Sequence, residues 1–211
     1  MGIVAANRRS GPFGRLFLEG VVIVASILLA LALCNALHKR IARAIELTVE
    51  TVQVAIANGD STIVVPDTAL MLAFITPTFD PRLRTLDGLL SAGCPGLLQD
   101  PVLRTTLAGW PGLLSEGTEE EVKGVDQVAN HLVPVLRSRI DTSHPLALIE
   151  LFPDSLTDVQ NARVTILPVD NKVPGVLAHR HAIESHGIDD LGDVRKEIDR
   201  ILKLIEAHRP G

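Results

Sequence analysis

A mainly α protein is the fold class this sequence predicts. It consists of a single N-terminal transmembrane helix continuing into an amphipathic stalk, then an α-rich extramembrane domain with at most a small β element. Three observations carry that expectation. Leu16–Leu37 is an apolar run of 22 residues with one ionisable side chain, Glu19. Apolar residues then recur at three- and four-residue spacing as far as Ala57, with no Pro or Gly between. Beyond that point helix-start patterns of Asp followed by Pro dominate, and only two short β-branched runs occur. The chain therefore divides into a basic segment 1–15, a transmembrane helix 16–37, a helical stalk 38–60 and an α-rich extramembrane domain 61–211.

The first helix rests on length. At 1.5 Å per residue, Leu16–Leu37 reaches roughly 33 Å, enough for a bilayer core. Arg8, Arg9 and Arg15 precede it, and Lys39, Arg40 and Arg43 follow it. Three cations on each side balance the positive-inside rule, so no orientation is selected. The setting this implies is a bacterial inner membrane or an organellar membrane. A competing reading is a cleaved signal peptide, because Ala30-Leu31-Ala32 has the small-x-small form of a cleavage site that would remove residues 1–32. Glu19 lies near the start of the run, where its carboxylate reaches the interface. Cys34 inside the span is a small hydrophobe.

Ile41, Ile45, Val49, Val52 and Ile56 continue the helical spacing and read as the stripe of a stalk. One unbroken helix is expected from about Arg15 to Ala57. Asn58-Gly59-Asp60 ends it, with a left-handed residue at the C-terminus. Ile63-Val64-Val65 then reads as a strand stopped by Pro66, and Val164-Thr165-Ile166-Leu167 as its partner.

Residues 66–175 hold eleven of the thirteen prolines. Asp80-Pro81 and Asp100-Pro101 each read as an N-cap followed by Pro at the first helical position. Gly93 and Gly109 close the resulting helices. Pro95-Gly96-Leu97-Leu98 and Pro111-Gly112-Leu113-Leu114 extend the match, so residues 80–98 and 100–114 read as a short tandem repeat. Thr118 and Glu121 form a capping box for a helix with the stripe Val122, Val125, Val128, Leu132 and Leu136. Pro134 should kink or end that helix near Asn130. The final helix is expected to start at Asp189 or Asp190 and to bury Leu191, Val194, Ile198, Ile201 and Ile205 on the domain.

Composition narrows the function. Hydrophobic residues make up 46% of the 211 residues and aromatics only 3%, so the apolar content is aliphatic and the chain is not intrinsically disordered. A net charge of −5 and the absence of Tyr argue against nucleic-acid binding. That charge is uneven, +5 over residues 1–45 and −10 over 46–211, which sets a basic collar against the membrane and an acidic body beyond it. Two cysteines exclude a disulfide scaffold, and Cys94 sits in a Gly-Cys-Pro-Gly turn. No nucleophile elbow, P-loop or dinucleotide fingerprint occurs. His179, His181 and His186, with Glu184 between, are the one cluster of metal-ligand types, but their spacing fits no common site and no metal is assigned.

Two local resemblances are present. Gly14-Arg15-Leu16-Phe17-Leu18-Glu19 resembles the processing site of type IV pilins and pseudopilins, which implies cleavage after Gly14 and a filament role for Glu19. Arg15 stands where that family has an apolar residue. Arg40 to Ile45, Ala57 to Asp60 and Val65-Pro66 resemble the first half of a HAMP linker, with Ala44 in the usual Pro position and Pro77 and Pro81 interrupting the second helix. The function expected is a single-pass membrane-anchored structural or accessory subunit of a larger membrane protein complex. It is not an enzyme, has no catalytic residue and no cofactor, and its partners are other membrane protein subunits and the lipid bilayer. A pilin-like subunit, a HAMP-like sensor fragment and a His-based metal-binding protein are the alternatives.

Overall fold

Two long helices run side by side through most of the molecule, because each carries a buried residue at every third or fourth position. The computed structural model describes residues 12–79, 101–150, 163–170 and 172–207, with the side chains of 12–26, 103, 104 and 150 outside that description. The side chain of Glu19, the expected helix start at Asp80-Pro81, Gly93, Cys94 and the first copy of the short repeat therefore lie outside the described residues.

Helix α1 spans Pro12–Asn58, 47 residues and about 70 Å. It stops where expected. Gly59 adopts φ +79°, Asp60 N–H donates to the Ala55 carbonyl at 2.9 Å and Gly59 N–H to that of Ile56 at 3.1 Å, which together close a Schellman motif. The two expected strands also form and pair. β1 (Thr62–Pro66) lies antiparallel to β2 (Val164–Pro168), with Ile63 opposite Leu167 and Val64 opposite Ile166. Asp67 begins α2 (Asp67–Phe74) and ties it to β2, since its carboxylate accepts from Thr165 Oγ1 at 2.6 Å. The mainly α class with one two-stranded sheet is thus established.

Three sequence expectations are corrected. Helix α3 (Pro101–Gln127) starts at the expected Pro but does not stop at Gly109; it runs through Pro111 and Gly112 for 27 residues. Pro inside a helix costs about 3 kcal/mol, which burial of Trp110 and Leu114 offsets here. Thr118 makes no capping box: its hydroxyl donates to Ser115 O, while Glu121 accepts from Phe79 N–H at 2.5 Å. Val122 and Val125 face outward at 69% and 53% exposure, and Gly124 and Gln127 turn inward. The expected disturbance at Pro134 is present as a π-helical turn, Val128–Leu132, leading into α4 (Val133–Arg137). Helix α5 (Ser143–Ala147) follows.

Helix α6 spans Lys172–Ala207, 36 residues, so Asp189 and Asp190 are interior positions rather than caps. The cap is Asp170, whose carboxylate accepts from Lys172 N–H at 2.8 Å and Val173 N–H at 3.0 Å. Its second half buries Leu191, Val194, Ile198 and Ile201 as expected, but Ile205, at the far end of the stripe, is exposed.

The stalk is also corrected. Ile41, Ile45, Val52 and Ala55 of α1 do not project; they are buried with Ile63, Val65, Leu70–Phe74, Leu132, Leu136, Leu167, Val173 and Leu177 in the larger core. The apolar stripe found better cover within its own chain than a bare stalk provides. A second core joins Leu31 and Cys34 of α1 to Phe79, Trp110, Leu114, Leu191, Val194, Ile198 and Ile201. The first core pairs α1 residues from 41 onward with the start of α6 and the second pairs residues up to 34 with its end, so α1 and α6 are antiparallel. Among the described residues, no helix is long and apolar enough to cross a membrane; the expected span begins at Leu16, before the first described side chain, Ile27.

Candidate functional site

Leu31, Cys34, His38, Ile41, Ile45, Thr48, Val52 and Ala55 of α1 are buried at an alternation of three and four, with Ala42 buried beside them. On α6, Val173, Leu177, Arg180, Glu184, Gly187, Leu191, Val194, Ile198 and Ile201 are buried with the same alternation, and Ile183 is buried beside them. Helix pairing of this kind asks for apolar residues at every such position. Here the middle of each stripe is polar or empty: His38 on α1, and Arg180, Glu184 and Gly187 on α6.

These residues meet. His38 Nδ1 lies 2.6 Å from Glu184 Oε2, with side chains 6% and 1% exposed. A carboxylate only accepts, so the proton of this bond sits on His38 Nδ1. Arg180 Nη2 pairs with Glu184 Oε1, one helical turn away. Arg180 also reaches the end of α2, donating through Nη2 to the Ile75 carbonyl at 2.6 Å and through Nε to that of Ala73 at 3.3 Å. Those carbonyls belong to the last turn of α2, where no intrahelical donor remains and the dipole is negative. Burial pulls the Arg180 pKa below its ordinary value, and Glu184 opposes that shift by charge and by hydrogen bonding.

Two glycines make room. A Cβ on Gly187 would lie 3.3 Å from the His38 ring, and one on Gly124 would lie 3.0 Å from Arg180 Nη1 and from Thr76 Cγ2. Gln127 of α3 donates to the Val176 carbonyl at 3.0 Å, which ties α3 to α6 beside the cluster. Arg180 Nη1, Gln127 Oε1 and Asn35 Oδ1 are buried with no hydrogen-bond partner.

This arrangement joins α1, α2, α3 and α6 at one level. Each oxygen of its carboxylate has a partner, a guanidinium on one and an imidazole on the other, and the carboxylate is closed to solvent. Chemically it fixes register and orientation, with His38, Arg180 and Glu184 all buried. The two described cavities lie elsewhere. The larger, about 750 Å³, lies between Pro101–Leu113 of α3 and Asp193–Arg200 of α6, and the smaller, about 250 Å³, lies between α1, β1 and α2.

The histidines singled out in the sequence do not converge. His179 is exposed and faces His131 at 6.5 Å between ring centroids, His181 is half-buried, and His186 is exposed. Among the described residues, no group of three or more His, Cys, Asp or Glu could hold a metal ion. Glu184, noted in the sequence only as a neighbour of those histidines, is the residue that carries the cluster. The missed signal was its place on the α6 stripe, four residues after Arg180 and seven before Leu191. His38 was missed because it falls between the apolar run that ends at Leu37 and the stripe that starts at Ile41.

A second polar contact joins the sheet to α5. His144 Nδ1 lies 2.7 Å from Asp67 Oδ2, and the Arg163 guanidinium packs against the other ring nitrogen. Asp67 is 3% exposed and is shared with Thr165, so this contact also serves to seat β2. No protein-family model, curated protein or solved structure matches this chain.

Proposed function

We propose that the chain is a single-pass membrane-anchored structural or accessory subunit that acts through protein–protein contacts in a larger membrane complex. The observation that carries this reading is α1 itself. It is one continuous helix from Pro12 to Asn58 whose sequence is apolar from Leu16 to Leu37 and basic at Lys39, Arg40 and Arg43. Its outward residues Leu29 and Leu33 are 63% and 64% exposed, and only alanines accompany them on that face until Lys39. An exposed apolar face followed by cations suits acyl chains and then anionic head groups.

A second surface supports contact with other proteins. Val64, Ile166 and Val164 stand together on the outer face of the two-stranded sheet at 60%, 63% and 55% exposure. Aliphatic residues grouped in this way on a small ribbon favour a covering partner. The buried His38–Glu184–Arg180 cluster supports a structural role, because each Glu184 oxygen is held by a side chain of the protein itself.

The test is native purification. The full chain, expressed in its own membranes, is expected to stay in the pellet after an alkaline carbonate wash and to co-purify with other membrane proteins in mild detergent. A chain released by carbonate is not anchored, and one that elutes alone as a monomer is not a subunit. A mature N-terminus at Arg15 would favour the pilin-like reading instead.

A further inference from the structure

We infer that residues 27–37 of α1 exchange between two apolar environments, the groove formed by α3 and α6 and the interior of a bilayer, and occupy only one of them at a time. The inference rests on the membrane anchor proposed above. A span of roughly 33 Å needs the whole of Leu16–Leu37, since the part before Ile27 reaches only about 16 Å, half a bilayer core. Yet Leu31 is 2% exposed and Cys34 8%, both held by Trp110, Leu114, Leu191, Val194, Ile198 and Ile201, with Ile27 and Leu28 packed beside them.

Helix α6 cannot follow α1 into the acyl region. Between Leu191, Val194, Ile198 and Ile201, which share the core of Leu31, it carries Asp193, Arg195, Lys196, Glu197, Asp199 and Arg200. These form surface pairs, Lys196 with Asp193 at 2.6 Å and Arg195 with Asp199 at 3.2 Å, and Lys196 and Asp193 are 79% and 60% exposed. Charges so placed need water. Insertion of residues 27–37 therefore requires their release from α6.

The fold already marks where release would stop. His38 is the first residue past the exchanging segment, and its bond to Glu184 joins α1 to α6 there. Beyond it, Ile41, Ile45 and Val52 are enclosed in the larger core and remain docked. Within the segment, Asn35 Oδ1 is buried without a hydrogen-bond partner, which weakens the docked form. At the head-group level beside Lys39 that amide would regain polar partners.

The chain's one tryptophan reports the exchange directly. Trp110 is 4% exposed and lies in the groove against the segment. The full chain is reconstituted into vesicles of phosphatidylcholine and phosphatidylglycerol, and Trp110 fluorescence is quenched with acrylamide from the water and with brominated lipid from the bilayer. With urea-unfolded chain as the fully exposed reference, acrylamide quenching is expected to reach at least about half the unfolded value, against roughly a tenth for a docked tryptophan. Brominated lipid is expected to quench little. A chain that floats with the vesicles while Trp110 stays shielded from acrylamide overturns the exchange and leaves the anchor standing. Strong quenching by brominated lipid also overturns it, because α3 would then enter the bilayer with α1. A chain that does not float removes the anchor, and the exchange with it.

Discussion

The two ends of the α1–α6 pair share one spacing and differ in cover. At one end Ile41, Ile45 and Val52 are enclosed by α2, both strands, the π-helical turn and α6. At the other, Leu31 and Cys34 meet only Phe79, α3 and α6 among the described residues; the outward face of α1 is exposed at both ends, at Leu29 and Leu33 and at Leu47, Val54 and Ile56. The same heptad pattern thus produces an enclosed core and a one-sided contact. Periodicity sets which residues face inward; the number of surrounding elements sets how firmly they are held. The polar layer of His38, Arg180 and Glu184 divides the two.

That division can be broken most directly at Glu184. Glu184→Ala leaves the Arg180 guanidinium buried without its anion, and is expected to lower stability by about 3–5 kcal/mol, read by chemical denaturation. A loss no larger than that of a surface carboxylate would mean the layer is not holding the helices. The comparison is sharpened by truncating equivalent positions on either side. Ile45→Ala is expected to cost towards the top of the range of about 2–5 kcal/mol for such deletions, and Leu31→Ala towards the bottom. Equal losses would show that the two ends are equally enclosed.

A smaller effect is expected at the α6 cap. Burial works upward on the Asp170 pKa, but Arg139, 2.5 Å away, and the N–H groups of Val173 and Lys172 outweigh it and hold the carboxyl below its ordinary value. A folded-state pKa that is lowered gives stability present in full above about pH 4, the unfolded carboxylate value, and lost as pH falls through the folded one. Asp170→Asn is expected to lower stability at neutral pH and to flatten the acid limb of a stability–pH profile. An unchanged acid limb would count against the cap. Smallest is Gly175→Ala. The position is helical with nothing within 4 Å of a new Cβ, so a gain of about 0.5–1 kcal/mol is expected from helix propensity. A loss there would mean α6 does not begin as early as Lys172.

Helix α1, its glycine stop and the β1–β2 pairing were legible in the sequence because local signals and tertiary packing agree there. No breaker interrupts α1 after Gly20, and Ile63 and Leu167 each belong to a short β-branched run. The first half of α6 was not legible. Its stripe from Val173 to Leu191 passes through Arg180, Glu184 and Gly187, which an apolar pattern search skips, and Pro174, Gly175 and Gly187 look like punctuation. Helix α3 failed in the opposite way. Gly109, Pro111 and Gly112 are strong local stops that packing of Trp110 and Leu114 overrides. The candidate site was hidden for the same reason as α6: its residues are stripe positions filled by charge.

Hydrogen exchange on α6, with the full chain held in lipid nanodiscs, tests most directly whether the polar layer separates a firmly held core from a releasable one. Amides of Val176–Arg180 and of Leu191–Ile201 all lie inside the same helix, past its first turn, and serve different cores. Exchange in the second group is expected to be at least about tenfold faster than in the first. Equal protection along the whole helix would contradict the division and leave α1 and α6 packed as one unit from end to end.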